Sequence, residues 1–127
     1  MSSIISIFLK EKISKENFFD FLIHMGGYKQ SIGNLEQGVL ESGDSTIWLY
    51  YRGESFNLDN EELFELNNII QDAKTEIAIE ISSEDGSSLL AKDFCEKISQ
   101  QFGTLALYNE EGIFFQLKDI NKALYIK

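Results

Sequence analysis

Apolar residues recur along this chain with two different periods, and no other feature limits its possible folds as much. Over residues 75–82 every second residue is apolar and predicts a strand with one buried face: Ile77, Ile79 and Ile81. Over residues 14–25 the apolar residues follow the spacing of a helix buried on one side: Phe18, Phe21, Leu22 and Met25. A chain that mixes both periods in short segments predicts an α+β domain.

The remaining segments extend this mixture of strands and helices. Further strands are predicted at residues 3–10, 39–41, 46–52, 104–108 and 113–117, and further helices at residues 60–72 and 87–102. Residues 28–37 follow neither period, and the tail after residue 118 is expected to add a helical turn or an edge strand. We therefore predict one α+β domain over residues 1–127, with a mixed or mainly antiparallel sheet and about three helices packed against it.

Capping residues mark the starts of the three helices. Ser14 precedes the first helix, and Asp59 and Glu62 have the spacing of a capping box ahead of the second. Ser87 or Ser88 is expected to cap the third helix. The chain contains no proline, so its turns are expected to use glycine, asparagine, aspartate and serine.

The cysteine content and the first residues bear on the compartment. Cys95 is the only cysteine and lies in an apolar helical pattern, which favours a buried thiol in a reducing environment. The first ten residues show neither a basic lead nor a small-residue cleavage site. No stretch approaches the roughly 20 apolar residues of a membrane span. We expect a cytoplasmic protein that is not embedded in a membrane.

Residue types that perform chemistry are sparse or unspecific here. The only histidine, His24, lies beside the apolar stripe of the first helix, which favours a helix-terminal or half-buried histidine over a catalytic base, so no catalytic triad is predicted. One histidine and one cysteine cannot supply a closed zinc shell. The carboxylate pairs Glu61/Glu65 and Glu76/Glu80 have suitable spacing for catalysis, but 21 acids in 127 residues produce such pairs by chance. We predict no catalytic residue, no cofactor and no metal.

The negative charge is concentrated in the middle of the chain. Nine of the acidic residues lie between residues 30 and 73, where Arg52 is the only base, and the whole chain has a formal charge of −10. Such a field repels nucleic acid and attracts a basic protein. We expect the central carboxylates to form one exposed surface that recognises such a protein.

Aromatic residues next to the acidic segment predict the centre of that surface, because tryptophan and tyrosine dominate the energetic centres of protein interfaces. In the predicted strand 46–52, Trp48 and Tyr50 point away from Ile47, Leu49 and Tyr51. Burial of these rings in the core is an equally open interpretation. The candidate partner-binding residues are Trp48, Tyr50, Glu54, Asp59, Glu61, Glu62 and Glu65.

Residues 77–115 carry a resemblance to known proteins. They contain a strand, a turn with Asp85-Gly86, a helix ending in Phe102-Gly103 and a hairpin from Tyr108 to Phe115. With its size, acidity and α+β layout, the chain resembles in type the bacterial immunity proteins of contact-dependent growth inhibition and related polymorphic toxin systems. The resemblance implies a non-enzymatic inhibitor that binds and neutralises a cognate basic toxin, such as a nuclease.

A second class of function also fits the sequence. The chain is then an adaptor or scaffold protein, possibly homodimeric, in which the acidity only maintains solubility. Gene order discriminates the two classes, because an immunity gene is expected directly downstream of a large toxin gene.

Overall fold

The computed structural model describes residues 2–127 and contains one antiparallel sheet of seven strands in the order β2-β3-β4-β5-β1-β6-β7. The strands are β1 (Ser3–Leu9), β2 (Tyr28–Ile32), β3 (Leu35–Ser42), β4 (Ser45–Gly53), β5 (Thr75–Ile81), β6 (Leu105–Tyr108) and β7 (Phe114–Gln116). The helices are α1 (Lys15–His24), α2 (Asn60–Ile69), α3 (Ser87–Phe102) and α4 (Ile120–Ala123), with a 3-10 turn at Leu117–Asp119. The predicted α+β class is confirmed, and every strand pair is antiparallel.

The larger hydrophobic core lies on one face of the sheet, under α1, α3 and α4. Ile77 and Ile79 of β5 are fully buried there, as the alternation of residues 75–82 predicts. Phe18 and Leu22 of α1 and Phe94 of α3 pack against the same face. Burying these side chains is the main source of stability, at about 1.5–3 kcal/mol for each large apolar side chain.

A smaller core lies on the opposite face of the sheet, under α2. Leu66 and Ile70 pack there against Phe8 of β1 and Ala106 of β6, and all four are buried. The ring of Phe56 meets Phe8 edge to face with centroids 5.1 Å apart. The helix α2 thus covers only the β1-β6-β7 side of this face.

The segment without a regular pattern is a hairpin. Residues 28–37 form β2 and the first part of β3, joined by a turn in which Gly33 has a φ of +61°. All five residues of β2 are exposed, so the strand buries no face and leaves no alternation of apolar residues. Its pairing with β3 is what makes it a strand.

One predicted helix boundary and one predicted cap are wrong, and two caps are confirmed. The helix α2 ends at Ile69 and not near Asp72, which has a left-handed backbone with a φ of +57°. The N-cap of α3 is Gly86, because the Ser87 hydroxyl instead accepts a hydrogen bond from the Thr46 amide at 3.1 Å. The Ser14 cap of α1 and the Asp59–Glu62 capping box of α2 are present as predicted.

Candidate functional site

Next to α2, part of the second sheet face carries no helix in the described residues 2–127. Trp48 and Tyr50 lie on this part, since Trp48 pairs with Glu80 of β5 and Tyr50 pairs with Ala78. We call this surface the open face. Strand register and alternation place on it Ile4, Ser6, Tyr28, Val39, Glu41, Trp48, Tyr50, Glu76, Ala78 and Glu80. Arg52 lies at a β-bulge beside them, where its charge acts on Tyr50.

The rings of the open face lie among small buried residues. Val39 and Ala78 are each only 2% exposed, although no helix of the described chain covers them. Their burial therefore comes from neighbours on the same face, and Val39 pairs with both Tyr28 and Trp48. Trp48 and Tyr50 are half-buried, and Tyr28 is 47% exposed. The rings thus form a layer on the sheet and still expose part of their surface to solvent.

Hydroxyl groups hold the carboxylates of the open face. The Tyr50 hydroxyl donates to Glu80 Oε1 at 3.0 Å, and the Ser2 hydroxyl donates to Glu80 Oε2 at 2.7 Å. The Tyr28 hydroxyl donates to Glu41 Oε1 at 3.1 Å. Partial desolvation and then the hydrogen bond to a carboxylate raise the pKa of Tyr50 and of Tyr28 above the ordinary tyrosine value. The carboxylates of Glu80 and Glu41 are thus each bound by a neutral phenol donor.

The predicted acidic residues of α2 and of the loop before it form a second group, the α2 acidic cluster: Glu54, Asp59, Glu61, Glu62 and Glu65. Asp59 and Glu62 exchange the two hydrogen bonds of the capping box, at 2.8 and 3.0 Å. Glu62 Oε2 also accepts a hydrogen bond from the Tyr108 hydroxyl. This bond is the largest cause that raises the pKa of Tyr108 to about 12, and the charges of Asp59 and Glu65 add to it.

Tyr108 connects the α2 acidic cluster to the open face. It pairs with Ser6, which pairs with Ala78, which in turn pairs with Tyr50. Tyr50 and Tyr108 are therefore three strands apart on the same face, or about 14 Å at the usual strand spacing. The structure thus brings the predicted rings and most of the predicted acids to one side of the sheet.

Three of the predicted acids, Glu54, Glu61 and Glu65, differ in their contacts from Asp59 and Glu62. The Glu54 carboxylate lies 3.2 Å from Lys12 Nζ in an exposed ion pair, so part of its charge is compensated. Glu61 and Glu65 are exposed on α2. Arg52, the single base of the central segment, lies beside the open face, where its charge opposes the rise in the pKa of Tyr50.

The nine central acids do not form one surface, contrary to the expectation from their clustering in sequence. Glu36 lies on the α1 side of the sheet, where its carboxylate is 2.7 Å from Lys15 Nζ and 2.5 Å from Lys29 Nζ. The hydrogen bonds from these two lysines lower the pKa of Glu36 to about 2. Asp44 lies in the turn between β3 and β4. The negative surface is instead completed by acids from other segments.

Sequence reasoning did not nominate Glu41, Glu76, Glu80, Tyr28 or Tyr108, all of which lie on the same face as Trp48. For two of them the sequence contains a partial signal, because the alternation of apolar residues over 75–82 places Glu76 and Glu80 on the side of the strand away from the core. Their position beside the rings depends on which strands are neighbours. No local pattern specifies that β4 pairs with β5.

Other reactive groups lie elsewhere. Cys95 is fully buried, and this burial raises the pKa of its thiol. His24 ends α1 and, together with Asp20 and Gln101, lines a shallow hollow between α1 and α3. Within residues 2–127 no group of three or more histidine, cysteine or carboxylate side chains is arranged to hold a metal ion. The helices of the same range are too short or too polar to cross a bilayer.

Comparison with protein-family models, curated proteins and solved structures finds no match to this chain. The open face and the α2 acidic cluster are therefore interpreted from their own chemistry.

Proposed function

We propose that this protein is an immunity protein of a contact-dependent growth inhibition or related polymorphic toxin system. In this proposal it binds a cognate basic toxin, such as a nuclease, in the cytoplasm and neutralises it without catalysing a reaction. The observation that carries the proposal is the placement of half-buried aromatic rings and carboxylates without an ion pair on one side of the sheet. The rings of Trp48 and Tyr50 lie on the open face, and the α2 acidic cluster borders it.

The charge on this side supports a basic partner. The open face has Glu41, Glu76 and Glu80 against one neighbouring base, Arg52, and α2 adds further carboxylates. The ion pairs found within residues 2–127 involve none of these three glutamates. Such a field accelerates encounter with a cationic surface, to about 10⁸–10⁹ M⁻¹ s⁻¹ at low salt. Rapid capture is what an inhibitor of a toxin requires.

The rings of Trp48 and Tyr50 supply the area that a partner can bury. Tyrosine and tryptophan bury large areas at a small cost in conformational entropy and are enriched among the residues that dominate binding energies. Trp48 and Tyr50 lie half-buried on the open face, where a partner can exclude water from the exposed part of their rings. We therefore assign the carboxylates mainly to the association rate and the rings to the lifetime of the complex.

The experiment that tests the proposal has two parts. The protein encoded by the gene directly upstream is expressed in a host cell with and without this chain, and growth is compared. Association is then measured by stopped flow for wild type and for a Glu61→Lys/Glu65→Lys variant. Glu62 is left unchanged because its side chain completes the capping box. We expect protection by the wild type and association at least about tenfold slower in low salt for the variant.

A matched control uses Asp20→Lys/Glu96→Lys, which makes the same change of net charge on α1 and α3. These helices cover the other face of the sheet, so we expect a smaller effect on the association rate. Absence of protection rejects the function. Equal rates for the two variants reject the α2 acidic cluster as part of the interface.

The adaptor alternative has one supporting observation of its own. The edge strand β2 is exposed along its length, and Ile32 and Leu35 at the end of its hairpin are 58% and 52% exposed. Unpaired strand edges with apolar residues invite pairing with a second chain. A homodimer that forms through β2 would dissociate in an Ile32→Lys variant. Sedimentation of the wild type and of this variant compares their oligomeric states.

A further inference from the structure

We propose that the open face binds an arginine side chain of a basic protein partner, with the guanidinium stacked on Trp48 and paired with Glu80. The inference rests on the proposed function only in taking the partner to be a protein with a cationic surface. It names the group of the partner that is recognised and the two residues that recognise it.

Trp48 and Glu80 are direct neighbours across two strands. They are register partners of β4 and β5, and side chains of such pairs lie with Cβ atoms about 4.5–5.5 Å apart on the same face. Both are half-buried. A planar cation that lies over the indole can therefore reach the carboxylate from the same position.

The carboxylate of Glu80 is held in place by neutral donors. Tyr50 donates to one of its oxygens and Ser2 donates to the other. Each carboxylate oxygen can accept a second hydrogen bond, so capacity for a charged donor remains on both. No lysine or arginine of residues 2–127 lies within ion-pair distance of Glu80. The acceptor is thus preorganised and its charge is not compensated, which reduces the cost of binding.

The shape of this pair favours arginine over lysine. The guanidinium is planar, stacks on aromatic faces and donates two parallel hydrogen bonds to a carboxylate. It is also less strongly hydrated than an ammonium group, so a half-buried position costs it less. A surface that selected only by charge would accept both cations equally.

The rest of the open face fits a protein partner and not an isolated amino acid. Ile4 pairs with Glu80 and Tyr28 pairs with Val39, the two register partners of Trp48, and they are 51% and 47% exposed. Tyr28 also holds a second carboxylate, that of Glu41. The apolar residues offer area to bury, and Glu41 and Glu76 supply further negative charge around it. The complementary surface is apolar at its centre and cationic.

The test compares fluorescein-labelled octa-arginine and octa-lysine peptides by fluorescence anisotropy with the purified protein. We expect octa-arginine to bind wild type about threefold or more tighter than octa-lysine, and the Trp48→Leu variant to lose this preference. Glu80→Gln is expected to weaken octa-arginine binding by a similar factor. Glu96→Gln on α3 removes the same charge from the other side of the molecule and is expected to have a smaller effect.

The location of binding is measured independently of the variants. Amide chemical shifts of the wild type on addition of octa-arginine are expected to change most in β4 and β5, and with them the indole N–H of Trp48, which is the only tryptophan. Equal affinity for the two peptides, or shifts centred away from these strands, overturns the inference. The peptide experiment uses no toxin, so its result is independent of the protection assay. If the protein protects the host cell but binds both peptides equally, the arginine site is rejected and the proposed function is retained.

Discussion

Leu22 of α1 packs directly on the backbone of Gly38 in β3. A Cβ atom on Gly38 would collide with the Leu22 Cδ2 methyl, and one on Gly27 would lie 2.6 Å from Leu22 Cδ1. Leu22 is fully buried, and two glycines provide the space for it. The close approach seats α1 on one face of the sheet at β2, β3 and β4. The opposite face of these strands, together with that of β5 and part of β1, is the open face.

Gly38→Ala is expected to lower the free energy of unfolding by about 1–3 kcal/mol, because the added methyl group overpacks the contact with Leu22. Urea unfolding measures the change. In a Leu22→Ala background the same substitution should cost less, since the colliding methyl group is gone. An equal cost in both backgrounds would show that the contact is not the cause.

Asp59→Ala is expected to destabilise α2 by about 0.5–2 kcal/mol, because the amide of Glu62 loses the carboxylate that caps it. Asp59→Asn keeps a side-chain oxygen acceptor and should cost less. Thermal unfolding and amide hydrogen exchange in residues 60–69 measure both. The prediction fails if the asparagine variant is as unstable as the alanine variant.

Glu36 should stabilise the fold in a pH-dependent manner. Lys15 and Lys29 lower its folded-state pKa from 4.5 to about 2. A carboxyl whose pKa is depressed by folding contributes stability above its unfolded pKa, and this contribution is lost as the pH falls toward the folded pKa. The difference in stability between wild type and Glu36→Gln should therefore shrink from pH 5 to pH 2, as followed by urea unfolding. A constant difference across this range contradicts the assignment.

Tyr108 should give an effect of opposite sign at alkaline pH. Glu62 raises the folded-state pKa of this phenol from 10.0 to about 12, so its contribution is complete below pH 10 and is lost as the pH rises toward 12. The Glu62→Gln variant should have a Tyr108 pKa closer to the ordinary tyrosine value, as measured by tyrosinate absorbance. The Tyr108→Phe variant lacks this phenol and so identifies its contribution to the titration curve. The hydrogen bond to Glu111 raises the pKa of Tyr125 to about 12. This pKa should not change in the Glu62→Gln variant, so Tyr125 serves as the internal control. Identical titration curves for wild type and Glu62→Gln would show that Glu62 does not raise the pKa of Tyr108.

Much of the fold could be predicted because its signals are local. The alternation in β5, the three-and-four spacing in α1 and the capping box of α2 each lie within a dozen residues. The strands predicted at residues 39–41 and 46–52 likewise exist, and they pair as β3 and β4 across the turn at Gly43 and Asp44. The exposed strand β2 was missed, since a strand that buries neither face leaves no periodic pattern.

The candidate site was predicted only in part, for a related reason. Trp48, Tyr50 and the α2 acids were nominated from ring content and charge, both of which are properties of a segment. Glu80 and Tyr108 enter the same surface through strand pairing with residues far away in the chain. Glu36 leaves it because two lysines hold it on the other face.

The sequence by itself determined the α+β class, the position of most elements and the sign of the charge, because each follows from composition or from contacts between near neighbours. Only the tertiary structure decided which face of the sheet stays open and which carboxylates meet the rings there. Those outcomes depend on the strand order. The strand order is set by contacts between apolar faces that are far apart in the sequence, so no short segment specifies it.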